Sequence, residues 1–73
     1  MKFKIYISHG KGEGVHTVEV TGASRSDGAA VTQVAARHFG VSSSKVLALP
    51  SRDAASPEAT LSLGPPAGGR LLG

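Results

Sequence analysis

A chain of 73 residues has room for one domain, and a domain of this size buries only about 60% of the surface its unfolded chain exposes. It has no cysteine and only 4% aromatic residues (Phe3, Tyr6 and Phe39). This excludes disulfides, thiol nucleophiles and Cys-based metal sites, and leaves the core to Val, Ile, Leu and Ala. Eight Lys and Arg stand against five Asp and Glu and are scattered along the chain, unlike the basic stripe of a dedicated nucleic-acid binder.

The opening segment MKFKIYIS alternates: Phe3, Ile5 and Ile7 point one way, Lys2, Lys4 and Tyr6 the other. This is the pattern of a half-buried strand. The glycine-rich HGKGEG reads as a flexible turn, and VHTVEV as the returning strand, with Val18 and Val20 inward and Thr17 and Glu19 outward. Lys4 and Glu19 are then expected as neighbours on the wet face. His16 shares the parity of the two valines, which places it at the inner margin of the sheet.

TGASRSDG is a loop leading into a helix, with Ser26 or Asp27 expected to cap it. In AAVTQVAARHFG, residues Val31, Val34, Ala35, His38 and Phe39 share one side at helical spacing. Thr32, Gln33, Ala36 and Arg37 fall away from it. Gly40 suits the position just past the helix, with Val41 making the apolar contact that accompanies it. VSSS is a connector. KVLAL is apolar throughout, which predicts a central strand that Pro50 stops. SRDAASPEA is a loop, and TLSL is a last strand with Leu61 and Leu63 inward.

The order strand, strand, helix, strand, strand predicts an α+β domain: a two-layer ββαββ unit over residues 1–63, with one helix packed on a mixed sheet and the other face of the sheet open. Residues 64–73, LGPPAGGRLLG beyond its first leucine, read as a flexible Gly/Pro-rich tail. The predicted core is Phe3, Ile5, Val18, Val31, Val34, Phe39, Leu47 and Leu61.

The opening strand from Met1, the glycine–lysine turn, HTVEV, the helix, KVLAL and PEATLSL together resemble the ubiquitin-like β-grasp family in element order over nearly the whole chain. GRLLG is similar to the Leu/Arg-rich, glycine-ended tails of modifiers, and PPAGG to the ends of MoaD/ThiS-type sulfur carriers. That resemblance implies a C-terminal glycine carboxylate adenylated by a partner enzyme. The chain ends in Leu72-Gly73, however, and its Gly-Gly is internal at Gly68-Gly69, so the family pattern requires processing after Gly69. A second stretch, SDGAAVTQVAARHFGVSSSKVLAL, is similar to the helix region of the small YggU-like proteins. That family's asparagine and later basic cluster are missing here, and no chemistry transfers from it.

Other chemistries find less in the residues. GKGEG lacks the Lys-Ser/Thr and the following helix of a phosphate-binding loop. His9, His16 and His38 are far apart in sequence and lack the close pairing of zinc ligands, so no metal or other cofactor is expected. His16 and His38 are read as half-buried packing residues, and burial would then disfavour their charged forms. No serine sits in a strained strand-to-helix elbow and no carboxylate pair stands out, so the chain is not read as an enzyme.

A possible nucleic-acid face is Lys2, Lys4 and Tyr6, with Lys45 nearby. RNA-binding sheets usually offer two or three stacking rings, against one here. The function expected is a small basic protein-binding or assembly module, with a protein partner or a homo-oligomer as its counterpart. A phage or particle structural component would fit. Its contacts are the sheet surface and the arm residues Arg70, Leu71, Leu72 and Gly73. The sulfur carrier or modifier with its adenylating enzyme, and the basic nucleic-acid-associated protein, remain alternatives. No membrane span is expected, since no apolar run nears ~20 residues. With no apolar leader at the start, the compartment expected is the cytoplasm, or the virion for a phage component.

Overall fold

Alternation in the first segment produces the strand on which the rest is built. In a computed structural model, which describes residues 1–52 and 55–63, β1 (Lys2–Ile7) turns back through a glycine-rich loop into β2 (Gly14–Thr21). The two pair antiparallel, with Lys2 opposite Glu19, Lys4 opposite Thr17 and Tyr6 opposite Val15. Glu19 therefore faces Lys2 rather than the expected Lys4, and its carboxylate accepts from the Met1 ammonium at 2.5 Å.

The helix α1 (Gly28–Phe39) follows a 3-10 turn over Arg25–Asp27. Asp27 occupies the N-cap position, but its side chain makes no hydrogen bond to the N–H groups of the helix. Its carboxylate reaches back to accept from the backbone N–H of Ser24 at 2.7 Å and from the Ser24 hydroxyl at 3.1 Å, so it closes the turn before the helix instead. At the other end Gly40 takes the left-handed conformation (φ 73°), and its N–H donates to the Ala36 carbonyl at 2.8 Å. This is the glycine stop predicted.

A second 3-10 turn, Ser43–Lys45, leads into β3 (Val46–Pro50), and β4 (Ala59–Ser62) ends the described sheet. The strand order is β3-β1-β2-β4. β1 pairs antiparallel with both β2 and β3, and β4 pairs parallel with β2. The helix covers one face of this mixed sheet, giving the two-layer ββαββ architecture.

The core lies between them. Phe3, Ile5, Ile7, Val18, Val20, Val31, Ala35, Ala36, Val46, Ala48 and Leu61 are buried, with Val34, Phe39, Val41 and Leu63 half-buried against them. On the helix the buried stripe is Val31, Ala35 and Ala36, while His38 is exposed. The helix is thus rotated from the face expected: Ala36 goes in and His38 goes to the rim.

β3 carries the main correction. It is an edge strand, not a central one, and Leu47 points away from the core. The backbone pattern shows why Pro50 is tolerated there. Ser8 and Ser51 donate to the Lys45 and Lys2 carbonyls across the β1–β3 ladder, so the odd-numbered positions of β3 bond to β1 and the even-numbered ones face outward. Pro50 is even, and its missing N–H falls where no ladder bond is needed. The outer edge is covered at Ala48 by the start of the helix: a Cβ built on Gly28 would lie 3.6 Å from the Ala48 carbonyl oxygen. Covering an edge in this way is a common protection against strand addition.

Candidate functional site: the open face of the sheet

Among the described residues, α1 covers one face of the sheet. The other presents Lys2, Lys4 and Tyr6 from β1, Val15, Thr17 and Glu19 from β2, and Leu47 and Leu49 from β3, because side chains alternate along each strand. Register sorts these into rows. Val15, Tyr6 and Leu47 form one row across three strands, Thr17, Lys4 and Leu49 the next, and Glu19 sits beside Lys2 in the third. The face is therefore apolar at the hairpin end and charged at the other.

Tyr6 is 38% exposed, Val15 56%, Leu47 54% and Leu49 44%. These are the large apolar side chains left exposed among the described residues, and all four lie on this face. Beside the first row is a shallow depression of about 460 Å³, lined in part by Tyr6, Val15, Leu47 and the Ser44–Lys45 turn. Its polar border includes the Ser8 hydroxyl, which donates to the Lys45 carbonyl at 3.4 Å.

The expected Lys2, Lys4 and Tyr6 thus do share a face. Lys2 is engaged there, its ammonium donating to the Ala55 carbonyl at 2.7 Å. Of the three aromatic side chains, Tyr6 alone reaches this face. Phe3 is fully buried, and Phe39 packs at the end of the helix. The arm residues Arg70, Leu71, Leu72 and Gly73, with Gly68-Gly69, lie outside the described residues. Sequence reasoning missed Val15, Leu47 and Leu49. The signal for the last two was Pro50, since a proline inside a strand pattern points to an edge.

A second cluster joins the margin of the sheet to the helix. His16 is half-buried, as its parity predicted, and its ring stacks on Phe39 with centroids 4.4 Å apart. Nε2 lies 2.5 Å from the Gly12 carbonyl oxygen and Nδ1 3.0 Å from Glu58 Oε1. The expectation that burial would suppress its charge is reversed. The Gly12 carbonyl, and then the Glu58 carboxylate, hold the His16 pKa above its ordinary 6.5 against the opposing effect of burial. His16 and Glu58 have the look of a base and its orienting acid, but Nε2, the ring nitrogen turned away from Glu58, is directed at the Gly12 carbonyl oxygen. Among the described residues no group of His, Asp and Glu is placed to hold a metal ion, and no helix is long and apolar enough to cross a membrane.

No protein-family model, curated protein or solved structure matches this chain.

Proposed function

We propose that this chain is a non-catalytic interaction module that binds a protein partner through the open face of its sheet. The observation that carries this reading is the gathering of Tyr6, Val15, Leu47 and Leu49 on one face in adjoining cross-strand rows. Apolar side chains scattered singly over a surface need no explanation, whereas the largest contiguous apolar patch on a domain is often its functional surface.

Size refines the reading. Four partly exposed side chains present on the order of a few hundred Å² of apolar surface, against about 800 Å² per partner in a standard interface. The apolar rows are therefore the centre of the contact, and the Lys4–Thr17 and Lys2–Glu19 rows its polar rim. The small core supports a partnered role as well, since a domain of this size has little stability to spare.

The test is site-specific photocrosslinking in the native cell, with the crosslinker at position 47 or at position 37 on the helix. A discrete protein adduct at 47, absent at 37 and lost when Leu49→Ser and Val15→Ser are added, supports the reading. Equal labelling at both positions overturns it. If deletion of residues 68–73 abolishes function while deletion of residues 70–73 and the face variants are silent, the reading in which Gly69 becomes the terminal glycine carboxylate replaces it. ATP-dependent adenylation of that carboxylate by a partner enzyme would then be the assay.

A further inference from the structure

His16 engages three separated parts of the chain from its place on β2: Gly12 in the β1–β2 turn, Glu58 in the segment entering β4, and Phe39 at the end of α1. Both of its hydrogen-bond partners are acceptors. A backbone carbonyl carries no proton, and an ionised carboxylate carries none either. A neutral imidazole has one N–H. It satisfies one partner and turns a nitrogen lone pair on the oxygen of the other. An imidazolium has two N–H groups and satisfies both.

We propose that His16 is a proton-operated clasp, which when charged holds both the glycine turn and the entry to β4 against the sheet, and when neutral releases the β4 side. The side that releases follows from the geometry. The Gly12 carbonyl is the closer partner, at 2.5 Å, and belongs to a turn closed by the Glu13 N–H donating to the Gly10 carbonyl at 3.1 Å. The Glu58 side chain is 51% exposed, so it swings into water at small cost. β4 is open to loosening: it has four residues, lies on the edge, and its first anchor is the Glu58 N–H donating to the Thr17 carbonyl at 2.9 Å.

The charges facing the clasp come from each element packed on it. Glu58 approaches from the β4 side and is hydrogen-bonded to the ring. Lys11 and Glu13 flank Gly12 in the turn. The Lys11 ammonium lies by Gly40, 3.9 Å from where a Cβ there would stand, and His38 meets the Phe39 ring edge-on at 4.8 Å. The Lys11 ammonium opposes the imidazolium. Glu58 and the Gly12 carbonyl favour it. The raised pKa of His16 agrees with the second group prevailing. The clasp is independent of what docks on the open face.

The experiment is an NMR pH titration of the full chain with nitrogen-15 in the histidine rings, alongside amide hydrogen exchange. Expected are a His16 midpoint above 6.5, both ring nitrogens protonated below it, and a lower midpoint in Glu58→Gln. The amide of residue 58 should exchange more slowly below the midpoint than above it, after correction for intrinsic rates. The difference should reach about tenfold per pH unit by which the midpoint exceeds that of the opened form, and it should vanish in Glu58→Gln. A His16 midpoint at or below 6.5 overturns the proposal. So does a midpoint unchanged by Glu58→Gln, or residue-58 protection that does not vary with pH.

Discussion

The ring of Phe39, at the last position of the helix, lies on the ring of His16 from the second strand, with centroids 4.4 Å apart and planes tilted by 35°. This contact joins the two layers at the open end of the domain, where Phe39 is half-buried. Phe3 is fully buried beneath the helix. Phe3→Ala should therefore cost about 3–5 kcal/mol, the range for a core phenylalanine, and Phe39→Ala about 2–3 kcal/mol, because part of its surface is already in water. Urea unfolding of both variants checks the ranking. Equal losses would show that Phe39 is as fully packed as Phe3.

Two glycines at opposite ends of the helix should respond in opposite ways to alanine. Gly28 has right-handed helical angles (φ −51°, ψ −43°), and a Cβ there meets Ala48 O at 3.6 Å, an ordinary contact. Gly28→Ala should stabilise by about 0.4–1 kcal/mol, mainly by restricting the unfolded chain. Gly40 has φ 73°. Gly40→Ala should destabilise by about 1–2 kcal/mol, the cost of a left-handed backbone with a Cβ. Thermal melts of the two single variants decide the signs.

Stability should depend on pH through His16. Its folded pKa is raised above 6.5, first by the Gly12 carbonyl and then by Glu58. The folded state thus binds the proton more tightly than the unfolded chain does. The stabilisation is fully present below the unfolded value of about 6.5 and is lost as pH rises through the folded midpoint. Denaturant midpoints at pH 5.5 and 8.5 should show the wild type losing stability with rising pH by more than His16→Gln does. A slope unchanged in His16→Gln would assign the dependence to other groups.

Leu47→Ser and Leu49→Ser should leave stability within about 0.5 kcal/mol, as surface substitutions do, because both side chains face water. Leu61→Ala should cost about 2–5 kcal/mol, because Leu61 is 7% exposed. Differential scanning calorimetry distinguishes them, and a large loss at Leu47 would place it back in the core.

Much of this architecture is written in local pattern. The alternation of Phe3, Ile5 and Ile7 with Lys2, Lys4 and Tyr6, the spacing of Val31 and Ala35, and the stop at Gly40 each act over a few residues. Backbone geometry reads them directly. The parity of His16 likewise located it at the sheet margin. Other features were decided only by which elements came together. KVLAL has no alternation, so its residues do not say which face is wet. That depended on β3 landing on an edge with α1 over its inner side, which turned Leu47 and Leu49 outward beside Tyr6. The Glu58 carboxylate reached His16 because β4 pairs parallel with β2, a pairing across a long stretch of chain that local propensity does not encode. That pairing also set the sign of the His16 shift: burial alone would have lowered its pKa, and two acceptors from distant segments raised it.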